Sequence, residues 1–247
     1  MGFRRSLLCL LPLLAGAAHA QDVLKAVSPD GQLEFRLFAV MPAGSGLNTL
    51  AYQVWLHGKP LMDTSCLGWN IHFQEPVLGE NVGLSWSKTT HEAGYNGLVA
   101  DYLQNSSTGR RLRLEVRVWN DGVAFRYLLP QQSPLLDLLI EDEATEFHFA
   151  RDSRMERPAQ APLPYVESAA GAGWVSIFES HLPGFPPMSL VRTGAHTMMS
   201  HLPDRPHDPG VAFAGETPWT SPWRMIVIGP DREKLAQSDV VRGLADR

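Results

Sequence analysis

The sequence holds very little cysteine, and this excludes one class of protein at once. Of its two cysteines, Cys9 lies in an N-terminal segment that we predict to be removed, which leaves Cys66 without an intramolecular partner. A small scaffold held together by disulfides is therefore excluded. The remaining chain, about 227 residues, is long enough to bury a core that needs no such support.

Long apolar runs are also missing. The run Leu7–Ala15 is shorter than the roughly 20 residues that cross a bilayer, and it lies between two arginines and small residues that end at Ala20. This order is typical of a secretory signal peptide. We predict a signal peptide at residues 1–20, export to the periplasm or the medium, a single domain at residues 21–247, and no membrane span.

Basic residues are in the minority. The chain has 21 Lys and Arg against 26 Asp and Glu, a formal net charge of −5. Because residues 1–20 contain two arginines and no acidic residue, the mature chain keeps 19 basic residues against 26 acidic ones, or −7. This balance argues against nucleic acid and against anionic membrane surfaces as partners.

What the sequence does contain is alternation with a period of two. In Arg111–Trp119 apolar and charged residues alternate, Asn120-Asp121-Gly122 supplies a turn, and the alternation resumes over Val123–Leu129. This pattern predicts a β-hairpin with one buried face. The same alternation recurs in Leu33–Leu37, Tyr52–Leu56, Trp69–Phe73, Glu146–Phe149, Trp174–Phe178 and Arg224–Ile228. Many short strands separated by turns predict an all-β fold, an antiparallel sandwich or barrel.

The segments between the strands are predicted from their turn residues and prolines. His57-Gly58-Lys59-Pro60 reads as a turn, and Arg151–Pro164 as a long exposed loop. Leu202–Gly215, with three prolines, reads as a second long loop. The best candidate for a helix is Arg232–Leu244, at the end of the chain.

Two polar clusters could hold metal ions, but neither has a recognised ligand spacing. Consecutive carboxylates on an extended chain point to opposite faces, so the acidic cluster reads more simply as a solvated approach to a strand. The second cluster lies on a proline-rich loop and reads as a polar loop. The two sets are Glu141, Asp142, Glu143 and Glu146, and His201, Asp204, His207 and Asp208. No G-x-S-x-G motif and no complete glycine-rich phosphate loop is present.

Glu179 is the strongest single candidate for chemistry. It follows the apolar run Trp174–Phe178 and precedes His181-Leu182-Pro183-Gly184-Phe185. A carboxylate at the end of a buried strand can be held rigidly while it faces a cleft, which suits a metal ligand or a general acid or base. The simpler reading is an exposed strand end. The seven tryptophans could stack on sugar rings, but in a sandwich most of them are expected to belong to the core.

Several of these stretches, taken in order, resemble the N-terminal domain of glycoside hydrolase family 97, a family of α-glucosidases and α-galactosidases. The most specific is Asp121-Gly122-Val123 followed by Phe125-Arg126-Tyr127, together with Thr217–Arg224. The other matching stretches are Ser28–Leu33, Tyr52–Pro60, Val118–Tyr127, Ile140–Phe147 and Val175–Ser180. The sequence differs from the family pattern on both sides of Glu179, at Phe178 and at Ser180-His181, and over Arg151–Tyr165.

The resemblance implies a large sandwich of the galactose mutarotase kind that packs against a catalytic (β/α)₈ barrel. It also implies Ca²⁺ near the substrate, with Glu179 as the matching ligand from this domain. No catalytic residue is assigned to the chain, its substrate-binding residues are unknown, and Ca²⁺ would require the barrel. The expected partner is a glycan or such a barrel, and the sequence reaches Arg247 at about the point where the barrel begins in that family.

Three functions remain open at this point. The first is an exported carbohydrate-binding or accessory domain that does not hydrolyse glycosides alone, since hydrolysis commonly needs two carboxylates. The second is an autonomous sugar epimerase that uses Glu179 with His72, His148 or His181. The third is a structural interaction domain.

Overall fold

The computed structural model describes residues 23–107 and 109–244. The predicted signal peptide, residues 1–20, lies outside the described residues. Within them, no helix has the length and apolar character needed to span a membrane.

The described residues form twenty β-strands, two short α-helices and one 3₁₀ turn, Ser133–Leu135. The strands are β1 Leu24–Val27, β2 Leu33–Val40, β3 Thr49–Leu56, β4 Lys59–Cys66, β5 Trp69–Ile71, β6 Gln74–Leu78, β7 Val82–Glu92, β8 Tyr95–Gln104, β9 Arg111–Trp119, β10 Gly122–Leu129, β11 Asp137–Glu143, β12 Glu146–His148, β13 Gln160–Pro162, β14 Tyr165–Ala169, β15 Gly173–Glu179, β16 Ser189–Arg192, β17 Thr197–His201, β18 Phe213–Glu216, β19 Trp219–Thr220 and β20 Arg224–Gly229. The helices are α1 Arg232–Leu235 and α2 Asp239–Leu244.

All the strand pairings within the sheets are antiparallel. The largest sheet has eight strands in the order β14-β15-β20-β10-β9-β8-β7, with β19 paired to β10. Three four-stranded sheets have the orders β1-β2-β3-β4, β18-β11-β5-β6 and β12-β17-β16-β13. The predicted all-β sandwich is thus confirmed.

The core lies between the eight-stranded sheet and the smaller sheets. From β10, Phe125 contacts Phe35 and Tyr52 at ring-centroid distances of 6.0 and 5.2 Å. Tyr127, two residues further along β10, contacts Trp69 of β5 edge-on at 5.2 Å. Because alternate residues of a strand share a face, one face of β10 joins two of the smaller sheets to the large one.

The predicted hairpin is confirmed. In β9 the residues Leu112, Leu114, Val116 and Val118 are all buried, and the charged residues between them are exposed or half-buried. Gly122 pairs with Trp119 across the turn. Its Cα also lies so close to the neighbouring strand that an added Cβ would meet the Ile226 carbonyl oxygen at 2.5 Å, which explains the glycine.

The outer face of the large sheet carries a second apolar cluster at one end. Trp119, Trp223 and Val227 are buried there under residues of the two helices, Leu235, Val240 and Leu244. A single helix was predicted over 232–244, and two short ones are found. The Asp231 side chain caps α1 by accepting a hydrogen bond from the Lys234 amide at 2.9 Å.

One predicted turn, His57–Pro60, and one predicted strand, Trp69–Phe73, each extend two residues too far. The turn after β3 is made by His57 and Gly58 at φ of 53° and 71°, and β4 already begins at Lys59. The predicted strand Trp69–Phe73 stops at Ile71, because the chain turns at Phe73, whose φ is 54°. Apolar alternation therefore continues past the point where strand pairing stops.

The prediction that residues 151–164 form an exposed loop is wrong in part. This segment contains β13 and buries Arg157, which forms an ion pair with the buried Glu167 at 2.7 Å. The second predicted loop, residues 202–215, likewise buries its Leu202 and enters β18 at Phe213. The composition of a segment does not show that a charged residue has a buried partner.

Candidate functional site

Glu179 ends β15, directly opposite Arg224, the first residue of β20. Its Oε2 accepts a hydrogen bond from Arg224 Nη1 at 2.8 Å, and its Oε1 accepts one from the Met188 amide at 2.7 Å. About 15% of the side chain remains exposed. The structure therefore fixes this carboxylate at both oxygens and leaves it at the surface of the protein.

Arg224 is held from the other side by Glu143 of β11. Both side chains are fully buried, and Arg224 Nε donates to both Glu143 carboxylate oxygens at 3.0 Å. Glu143 also accepts from the Thr145 hydroxyl at 2.6 Å, which is bonded to the Tyr127 hydroxyl at 2.6 Å. One buried guanidinium thus connects a core network to Glu179.

The ionisation of this network follows from burial and from the opposite charges. Burial raises the pKa of Glu179, and the nearby Arg224 guanidinium opposes that rise. For Arg224 burial acts to lower the pKa, but the charge of Glu143 outweighs it and the pKa rises. Arg224 therefore stays charged. Any further positive charge or hydrogen-bond donor placed near Glu179 would stabilise its ionised form.

Two hollows adjoin at Glu179 and Pro187, each of about 340 Å³. We call the two together the Glu179 groove. Most of its lining is proline and apolar, with the Glu179 carboxylate and the exposed His181 imidazole as its ionisable groups. The other lining residues are Pro162, Leu163, Pro164, Phe178, Ser180, Leu182, Phe185, Pro186, Met188, Ser189 and Pro222.

Aromatic packing holds the loop that forms one wall of the groove. Phe185 contacts Phe213 at 5.2 Å and Trp219 at 5.5 Å between ring centroids, and the edge of Trp69 at 6.3 Å. As expected, Trp69, Trp119 and Trp223 belong to the cores. Of the tryptophans, Trp86 is the one that stands among the exposed large apolar residues, at 48% exposure.

The acidic cluster does not converge on one point. Glu141 pairs with His72 at 2.7 Å, and Glu146 accepts from the Cys66 amide at 3.0 Å. Asp142 pairs with His201 at 2.8 Å, and Glu143 is buried against Arg224. The reading of this cluster as a solvated approach to a strand is wrong, because β11 runs through it and each carboxylate has its own partner.

The second polar cluster, His201, Asp204, His207 and Asp208, does not converge on one point either. Asp204 accepts from the Gly210 amide at 3.0 Å, and Asp208 pairs with Arg205 at 3.1 Å. In residues 23–107 and 109–244, no group of three or more His, Cys, Asp or Glu side chains is arranged to hold a metal ion. His181 is the histidine that the structure places beside Glu179.

Sequence reasoning singled out Glu179 as a candidate but missed the network behind it. A β-bulge at Glu141 shifts the pairing of β11 with β5, so that Ile140 faces Ile71 and Glu143 faces Trp69. A bulge reverses which alternate residues point inward, and here it turns Glu143 into the core. The available signal was a lone arginine at the start of the apolar run Arg224–Ile228.

Fold and groove together define a class: an antiparallel β-sandwich domain whose candidate site offers one surface carboxylate. The family model described as Glycosyl-hydrolase 97 N-terminal matches residues 26–158 and 153–246. The chain belongs to this family, as its resemblance predicted. A search of curated proteins finds no match.

Solved structures show the same fold. A variant of a Glycoside Hydrolase Family 97 enzyme from Pseudoalteromonas sp. strain K8 matches with a TM-score of 0.75 and 19% identity, over 90% of this chain and 38% of that one. The enzyme from that strain in complex with acarbose matches with a TM-score of 0.72, with the same identity and coverage. A β-arabinopyranosidase matches with a TM-score of 0.67 and 19% identity, over 84% of this chain and 40% of that one. The chain thus spans about two fifths of the length of these structures.

Proposed function

We propose that this chain is the accessory domain of a family 97 glycosidase, and that the Glu179 groove packs against a catalytic (β/α)₈ barrel. In this proposal Glu179 stands at the rim of the carbohydrate site. The observation that supports it most is the fixation of Glu179 by Arg224 and the Met188 amide inside a proline-lined groove. A rigid, partly apolar surface with one oriented carboxylate suits a domain contact that contributes a single polar group.

The chemistry of Glu179 also suits a contribution to a calcium site, but not a complete one. Ca²⁺ takes six to eight oxygen ligands, and the described residues offer one oriented carboxylate in the groove. Each Glu179 oxygen already accepts one hydrogen bond and retains a second lone pair. We therefore propose that Glu179 supplies one ligand and that the barrel supplies the others.

The isolated chain is expected not to hydrolyse glycosides. Retaining and inverting glycosidases commonly place two carboxyl groups about 5–9.5 Å apart on either side of the scissile bond. Near Glu179 the second carboxylate is Glu143, which is fully buried and separated from Glu179 by the Arg224 guanidinium. No sugar ring can lie between the two. The proposed setting is extracytoplasmic, as the predicted signal peptide indicates.

A chimaera tests the proposal. Residues 23–244 would replace the matching domain of the Pseudoalteromonas family 97 enzyme, and hydrolysis of nitrophenyl α-glucoside would be measured with Ca²⁺ present. We expect the chimaera to be active, and the same chimaera with Glu179→Gln to lose at least about tenfold in rate, since a neutral amide binds Ca²⁺ less well than a carboxylate. Glu92→Gln, at an exposed carboxylate on β7, is the matched control.

Equal activity of the parent and Glu179→Gln chimaeras would contradict the role of Glu179. A folded but inactive chimaera would contradict the docking role of the groove. The chain alone should give no turnover of nitrophenyl α-glucoside or α-galactoside.

One observation favours a second function, a mutarotase-like epimerase. Glu179 and His181 line the same hollow, and a carboxylate with an imidazole could transfer protons at an anomeric centre. The Arg224 guanidinium opposes the rise in the pKa of Glu179 that burial causes, and both carboxylate oxygens already accept hydrogen bonds, so we rank this function second. Faster anomerisation of glucose or galactose in the presence of the chain, followed by NMR and lost in Glu179→Gln, would support it.

A further inference from the structure

A second hollow lies on the large sheet, at the opposite end of β15 from Glu179. It has a volume of about 360 Å³ and is formed where the β14–β15 turn faces the segment around Arg154 and the residue Pro230. Trp174 and Ser168 line it and are direct cross-strand partners. We call it the Trp174 hollow.

The Trp174 hollow is separate from the Glu179 groove. Trp174 and Glu179 are five residues apart on β15, about 16 Å along an extended strand. Because this offset is odd, their side chains point to opposite faces of the sheet. Trp174 lies on the outer face beside the second apolar cluster, whereas Glu179 points toward the buried network.

The ring of Trp174 is held in place from the side of the C-terminal helices. The ring packs against the second apolar cluster, and the Arg232 guanidinium lies over it at 4.9 Å from the centroid. The side chain is only partly buried, so an aromatic surface remains at the hollow. A fixed, partly exposed aromatic ring suits stacking against the C–H face of a sugar.

Polar groups surround this ring. Arg154 is exposed, and its guanidinium forms no ion pair or side-chain hydrogen bond with the described residues; its backbone amide donates weakly to the Ser168 hydroxyl at 3.3 Å. Arg232, which forms no ion pair with a carboxylate among the described residues, places its guanidinium over the Trp174 ring. Within the hollow, the Ser168 hydroxyl and the Arg154 guanidinium beside an aromatic residue match the hydroxyl pattern of a pyranose ring.

We infer that the Trp174 hollow is a saccharide-binding subsite, in which one ring of a glycan chain stacks on Trp174 and bonds to Arg154 and Ser168. This inference rests on the proposed role of the chain in carbohydrate processing. The subsite itself lies apart from the Glu179 groove, which is assigned to that role. A subsite at this distance would hold a glycan chain to the domain without touching the groove.

Binding of panose and of arabinogalactan to the isolated chain, measured by saturation-transfer NMR and calorimetry, tests this inference. We expect panose to bind in the millimolar range, so that about 20 mM saturates the site. Trp174→Ala should weaken binding by at least about tenfold, because the stacking surface is lost. Arg154→Ala, at an exposed side chain without partners among the described residues, should weaken it about threefold without affecting the fold.

Trp86→Ala is the matched control, because Trp86 is an exposed tryptophan on the edge strand β7 and should leave binding unchanged. Equal binding by the wild-type, Trp174→Ala and Arg154→Ala proteins would overturn the inference, as would absence of binding to both saccharides. Because no barrel is present in this assay, the result does not depend on whether the chimaera described above is active.

Discussion

Two buried arginines in this molecule have similar partners but different surroundings. Arg157 pairs with Glu167, whose second oxygen accepts from the Tyr165 hydroxyl at 2.7 Å, so this site is closed within the protein. Arg224 pairs with the buried Glu143 on one side and with the partly exposed Glu179 on the other. The first arrangement secures a loop, whereas the second carries an interior charge network to a surface groove.

Removal of Arg224 should have the largest effect on stability. Arg224→Met leaves Glu143 without its counter-ion in a fully buried position, which typically costs about 3–5 kcal/mol. Urea denaturation followed by tryptophan fluorescence measures the loss. A loss below about 1 kcal/mol would show that the network contributes no more than a surface ion pair.

Removal of Arg157 should cost less, about 2–3 kcal/mol. In Arg157→Met the Tyr165 hydroxyl still donates to Glu167. Burial already raises the pKa of Glu167, so the carboxyl can become neutral at little further cost. The loss should therefore be smaller near pH 4.5 than at pH 7; a loss independent of pH would contradict this account.

The smallest expected effect is the pH dependence at Glu179. A carboxyl whose pKa is higher in the folded protein than in the unfolded chain contributes stability at low pH, and this contribution is lost as the pH rises through the folded pKa. Glu179→Gln does not titrate. The stability of Glu179→Gln relative to wild type should therefore increase between about pH 4 and pH 7.

Paired denaturation curves at several pH values measure this difference. Glu92→Gln, at an exposed carboxylate, is the control and should show a flat difference. A difference for Glu179→Gln that decreases with pH would show that Arg224 outweighs burial in setting the pKa of Glu179.

Much of the fold could be predicted because it rests on local alternation. The hairpin of β9 and β10 could be predicted because the inward residues of these strands are apolar. Glu179 could be singled out as a candidate because it directly follows such an apolar run. The ion network was not, because the bulge at Glu141 reverses the facing of Glu143. The buried Arg157 was missed because nothing in its own segment identifies its partner Glu167, which lies ten residues later on β14.

The network at Arg224 also has a consequence for how the chain folds. Arg224 lies 81 positions after Glu143 and 45 positions after Glu179 in the sequence, and it contacts both. Long sequence separations slow folding, because the entropy of loop closure is lost before the contact forms. The Glu143 carboxylate cannot be buried at low cost until the chain has been synthesised as far as Arg224. During synthesis, β11 is therefore expected to pack against the large sheet late. If β11 docks before the rate-limiting barrier, variants that weaken this ion pair should slow refolding. If β11 docks after the barrier, the refolding rate should not change.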